Sequence, residues 1–236
     1  MAGQAAANTA PPSDDGALLG QRGSRIAVAG LLFSALFVIA WFLLRDSPAF
    51  DATDQELIDY YGDPDRRHNS VLAGLYAIPF AGVAFIWFMA ALRDRYLHFA
   101  TRENTILSTA HVVAGALVVT SLFTLVGVEL AVSWLGETGS SFDVDAARSL
   151  LAFGEALSDI MALRSAAVFV AVSATRATRS GLFPRGYRVV SLLTALALLL
   201  VFETAPWVAL AFPAWVAGSS VLILLRRRGT EGVEGA

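Results

Sequence analysis

Residues 26–44 read Ile-Ala-Val-Ala-Gly-Leu-Leu-Phe-Ser-Ala-Leu-Phe-Val-Ile-Ala-Trp-Phe-Leu-Leu, a run with no charged side chain and one hydroxyl. A helix needs about 20 such residues to cross a hydrocarbon core of about 30 Å, and this one is apolar on every face. Five further stretches repeat the pattern: 71–92, 106–128, 150–172, 187–202 and 207–225. The arginines fall between them in alternation. Arg22, Arg25, Arg93, Arg95, Arg102, Arg176, Arg179, Arg185, Arg188, Arg226, Arg227 and Arg228 lie on one side, and Arg45, Arg66, Arg67 and Arg148 on the other. Short cytoplasmic loops hold the excess of basic residues. The reading is therefore an all-α polytopic transmembrane bundle of six helices with both termini cytoplasmic.

Composition narrows the classes. A soluble fold would have to hide six long apolar helices in a chain that is 56% hydrophobic, and these helices carry hardly any polar face. The net charge of −3 conceals a division, because twelve of the twenty acids lie in the expected external loops. Apart from Arg164, basic residues occur in the tails and short loops beside helix ends, which excludes a nucleic-acid partner. The chain has no cysteine, so thiol nucleophiles, disulfides and thiolate metal sites are excluded. All seventeen basic residues are arginine, which also removes Schiff-base chemistry.

Residues 1–24 are small and polar and predict a disordered cytoplasmic tail; residues 229–236 form a second one. The membrane domain is 25–228. Its first span is longer than a signal-peptide core and has no small-residue cleavage site before Arg45, so it is expected to remain as helix one. The external loop 45–70 contains Thr53-Asp54-Gln55-Glu56, a capping box. It predicts a short interfacial helix with Tyr60 and Tyr61 at headgroup depth, ended by Gly62-Asp63-Pro64. Only Glu203-Thr204-Ala205-Pro206 separates the last two spans, and the arginines after residue 225 require a hairpin there. Small residues at i, i+4 spacing predict close helix contacts at Gly30/Ser34, Ala73/Ala77/Ala81, Ser158/Ala162/Ala166 and Ala214/Gly218.

The fourth helix holds Glu155, Asp159 and Arg164 within one span. Charges inside a bilayer face the bundle interior and have partners. At about 100° per residue, Glu155 and Asp159 share a face and Arg164 points away, toward another helix or the cytoplasmic boundary. Glu129 and Glu203 lie near outer helix ends and could join Glu155 in an acidic vestibule. His111, two turns into helix three, could relay a proton. These six residues form a candidate polar pathway; the alternative is that they tie helices together. Asp63, Asp65 and His68 have a metal-like spacing but read as a solvated turn, so no metal and no cofactor are expected.

Known intramembrane enzymes leave marks that this sequence lacks. Gly218-Ser219-Ser220 has no histidine after it, and His68, His98 and His111 are too scattered for a zinc or haem site. The segment from Tyr60-Tyr61-Gly62-Asp63 through Phe85-Ile86-Trp87-Phe88 to Arg93-Asp94-Arg95 resembles a group of uncharacterised actinobacterial multi-pass membrane proteins over about a quarter of the chain. The resemblance implies a bacterial plasma membrane and carries no activity.

Three functional classes follow. The first is a non-enzymatic partner subunit or envelope accessory, in contact with lipid and with other membrane proteins or its own copies. The second is a small proton- or ion-coupled transporter using the helix-four charges. The third is an intramembrane enzyme. The arginine distribution is tested directly: a reporter after Ala236 or within 176–188 should read cytoplasmic and one near Asp65 external, and the reverse pattern would overturn the orientation.

Overall fold

The computed structural model describes residues 15–99, 105–137, 142–179, 183–200 and 206–231. Helix α1 spans Asp15–Leu44 and α2 spans Asp54–Gly62. The next rod is α3 (Pro64–Leu72), a π turn (Ala73–Ala77) and α4 (Ile78–Phe99). Then come α5 (Thr105–Gly136) and a second broken rod, α6 (Val144–Leu157), π turn (Ser158–Ala162) and α7 (Leu163–Arg179). Helix α8 (Arg185–Leu200), a 3-10 turn (Pro206–Leu210) and α9 (Ala211–Glu231) complete the chain. Five segments are long and apolar enough to cross a membrane: Ser24–Leu44, Pro64–Leu97, Thr105–Gly136, Val144–Arg179 and Trp207–Leu225. The sixth, Gly186–Leu200, is shorter.

Close contacts pair early residues of one helix with late residues of the next. Gly30 lies against Ser220 and Phe88, and the Ser34 hydroxyl reaches the Pro213 carbonyl at 2.8 Å. Gly82 meets Phe123, Gly115 meets Met89 and Gly154 meets Val128. Tyr187 and Ser219 share a hydrogen bond of 3.1 Å, and Trp215 Nε1 donates to Ser191 Oγ at 2.8 Å. Each pairing is antiparallel, so the bundle runs up and down. The order α1, α4, α5, α7, α8, α9 closes on α1 as a ring. The start of α1 and the end of α9 therefore share one end, with Arg93, Arg95, Arg176 and Arg179. The expected hairpin before α9 agrees with these bonds, while Glu203 and the rest of 201–205 lie outside the described residues.

Phenylalanine fills the middle of the ring. Phe33 and Phe85 are 4.9 Å apart by ring centroid, Phe85 and Phe169 5.1 Å, Phe85 and Phe212 5.4 Å, and all four rings are buried. Edge-to-face and tilted rings add about 0.5–1.5 kcal/mol per pair beyond their buried area. The outer faces carry exposed Val28, Ile39, Val83, Ile86, Leu193 and Leu200, as lipid contact requires.

Four expectations change. Helix α1 already begins at Asp15, because Ala17-Leu18-Leu19 are good helix formers that extend a helix nucleated by the span. Pro64 ends α2 and also opens α3 at its first position, where a missing amide costs nothing. Ala214 is exposed and Gly218 has open space around it, so that small-residue pair faces outward, unlike Gly30, Ala73, Ala77 and Ala81. Tyr60 and Tyr61 are buried in protein rather than open to lipid. The reason is the length of α5, whose 32 residues rise about 48 Å and overrun the hydrocarbon core. Its last turns and α6 give α2 a second core of Leu57, Tyr60, Tyr61, Val132, Ala147 and Leu151. Arg148 pins the chain before α2, binding the carbonyls of Phe50 and Ala52 and, at 2.6 Å, the Asp54 carboxylate.

Gly136 makes that docking possible. A Cβ there would stand 2.3 Å from the Tyr61 carbonyl oxygen, and backbone cannot step aside as a side chain can. Gly136→Ala should lower stability in detergent by about 1–3 kcal/mol through overpacking. Gly127→Ala, with nothing within 4 Å, should leave the melt unchanged or raise it. Equal melts for the two variants would remove the docking argument.

Candidate functional site

The second π turn shapes the site. The Leu163 amide bonds back to the Ser158 carbonyl, five residues away, so one extra residue is held in the circuit. Residues beyond it lag behind their straight-helix positions. Arg164 follows the turn, and its Nη1 donates to the Asp159 backbone carbonyl at 2.5 Å.

Glu155 at the end of α6 and Ser158 and Asp159 of this turn line a cavity of about 420 Å³. Its other walls are apolar. Phe37 and Trp41 come from α1, Leu122 from α5 and Phe212 from α9. Trp41 also lies 4.7 Å from Trp207 by ring centroid, which braces its indole beside the opening of the last rod. Pockets of about 300–1,000 Å³ with a few polar groups in an apolar wall are the usual form of a small-molecule site. Arg164 stands at the start of α7, just past the π turn, so two carboxylates and one guanidinium lie along this stretch of the rod.

Glu129 occupies a different setting. Its carboxylate accepts the hydroxyls of Ser47 and Ser70 at 2.8 Å each and of Tyr61 at 3.2 Å, while Ser47 and Tyr61 hydroxyls lie 3.1 Å apart. One acid thus joins the chain after α1, α2, α3 and α5. Burial pushes the Tyr61 phenol well above its usual range and the neighbouring Glu129 charge adds to that. The phenol stays a donor at every physiological pH. The capping box on the same helix is present as read, with Thr53 Oγ1 accepting the Glu56 amide and Glu56 accepting the Thr53 amide at 2.8 Å.

His111 sits near the arginine-rich end, fully buried. Its Nδ1 is 3.1 Å from Ser173 Oγ, its ring is 4.5 Å from Phe169, and Tyr96 meets it edge-on at 6.2 Å. The Arg176 guanidinium lies over the Tyr96 ring at 5.0 Å, a cation–π contact. Arg93 Nε donates to Ser108 at 3.0 Å beside them.

The candidate residues are therefore distributed over three places. Glu155 and Asp159 line the cavity, with Arg164 just past the π turn; Glu129 is held in a hydroxyl cage, and His111 is packed among aromatic rings. The sequence reading missed Ser47, Tyr61 and Ser70 as the partners of Glu129; hydroxyls scattered over 24 residues have no periodic signal. It also missed the aromatic wall of Phe37, Trp41 and Phe212. At the former metal-like spacing, Asp63 caps α3 through the Asp65 amide at 2.9 Å and lies 3.5 Å from Arg66, and His68 is exposed. Among the described residues no group of three metal-ligating side chains forms.

The cage yields a stability test. Tyr61→Phe removes one hydrogen bond to a carboxylate and should cost about 1.5–3 kcal/mol in a detergent melt. Tyr76→Phe, at an exposed phenol, should change nothing. A Tyr61→Phe protein melting like the parent would show that the cage contributes no stability.

Comparison with protein-family models, with curated proteins and with solved structures finds no match to this chain.

Proposed function

We propose that this chain is a multi-pass protein of a bacterial plasma membrane, with both termini cytoplasmic, that acts as a small proton-coupled transporter. The observation that supports transport is the cavity at the broken helix, with Glu155 and Asp159 in its wall. Ionisable residues at membrane depth are costly and mark ion and proton paths. A carboxylate there is neutralised by a proton, by arginine or by cargo. Exchange of the first for the last couples the two movements. Interruptions of the i+4 ladder also gather at functional sites, since they free backbone groups and give a helix two arrangements.

The orientation rests on the arginine count, and the bacterial membrane on the resemblance described above. The reading as a partner subunit has no observation of its own, because exposed apolar side chains are what lipid alone would demand. An enzyme reading lacks a base to activate Ser158, since the buried histidine, His111, is packed among aromatic rings away from the cavity lining.

The test is proton movement in liposomes that enclose a pH-sensitive dye. The parent should collapse an imposed pH gradient several-fold faster than empty liposomes. Glu155→Gln and Asp159→Asn should elute as folded protein and slow that collapse, since an amide keeps hydrogen bonding without carrying a proton. A parent no faster than empty liposomes, or variants as fast as the parent, would overturn the reading.

A further inference from the structure

We infer that the cavity at the α6–α7 break binds an organic monocation with a bulky apolar body. This deepens the transport reading by naming the class of cargo, and as a claim about transport it rests on that reading.

The wall has two kinds of group, and each selects one half of such a molecule. Phe37, Trp41 and Phe212 present aromatic rings from α1 and α9, and the remainder of the wall is aliphatic apart from the π turn. Rings of this kind attract a cation through the negative face of the π system, and tryptophan does so best. Glu155 and Asp159 enter from the opposite helix. Two acids and one arginine on that stretch amount to a net single negative charge, which favours one positive charge on the ligand. Both carboxylates keep contacts of their own in the bundle, and a bound cation adds to them.

Competing ligand classes fit less well. A hydrated metal ion or an inorganic cation would leave the aromatic and aliphatic wall facing water. An anion would meet two carboxylates in a low-dielectric site, where like charges repel strongly. A neutral hydrocarbon would fill the apolar wall but draw no attraction from the two carboxylates. The volume of about 420 Å³ suits a molecule of several rings rather than a simple ammonium ion.

The probe is tetraphenylphosphonium, with tetraphenylborate as its anionic counterpart and tetraphenylmethane as the neutral one. Binding is measured by equilibrium dialysis on the full-length protein in detergent, with protein-free micelles subtracted. The cation should bind the parent at least tenfold more tightly than either counterpart. This comparison needs no variant, so it stands whatever a substitution does to folding. The double variant Glu155→Gln, Asp159→Asn should lose about tenfold in affinity for the cation, and Trp41→Leu should lose severalfold. Equal binding of cation and anion by the parent, or a folded double variant binding the cation like the parent, would overturn the assignment. Cation binding without proton movement in liposomes would remove the transport reading and leave this site standing. Proton movement without cation binding would do the opposite.

Discussion

Inside hydrocarbon a backbone amide or carbonyl has no water to turn to, and each unmatched group costs several kcal/mol. Every regular feature of this bundle answers to that demand. The described chain is helical wherever it is apolar, and its serines follow the same rule. Ser34, Ser121, Ser133, Ser191, Ser219 and Ser220 each donate to the carbonyl four residues earlier. Their hydroxyls are satisfied within their own helix, which leaves them small enough to sit at helix contacts. Three of them also reach across: Ser34 to the Pro213 carbonyl, Ser219 to the Tyr187 hydroxyl and Ser191 to the Trp215 indole.

Lipid also removes the hydrophobic drive that would pull helices together in water, so packing and polar contacts decide the arrangement. The phenylalanine cluster supplies the packing at the centre of the ring. The hydroxyl cage around Glu129 and the Arg148 contacts supply the polar ties at one end. Arg176 over Tyr96 and Trp215 bonded to Ser191 do so deeper and toward the other. Acids in this protein therefore have two fates. Glu129 is surrounded by donors and serves the fold, whereas Glu155 and Asp159 face open volume.

The long apolar helices and the Thr53–Glu56 capping box were legible in the sequence because each depends on residues close together in the chain. Hydropathy over a window marks an apolar helix, and a cap needs four residues. What escaped depends on three-dimensional reach. Nothing local to Tyr61 tells that α5 overruns the membrane and buries it, or that Ser47, Ser70 and Glu129 converge on its hydroxyl. The π turn itself gave no signal: Ser158-Asp159-Ile160-Met161-Ala162 holds no proline or glycine to announce the break.

That break, and its counterpart at Ala73–Ala77, act as phase slips. A rod interrupted in this way is written in two reading frames, and the stripe of residues that faces the bundle above the slip is not continued by the same spacing below it. Each half can then change its inward face without dictating the other. The halves of α6–α7 show the division: one frame aims acids at a cavity, and the next aims Phe169 and Ser173 at His111. A single helix thereby serves two neighbourhoods that differ in polarity, with one surplus residue as the boundary between them.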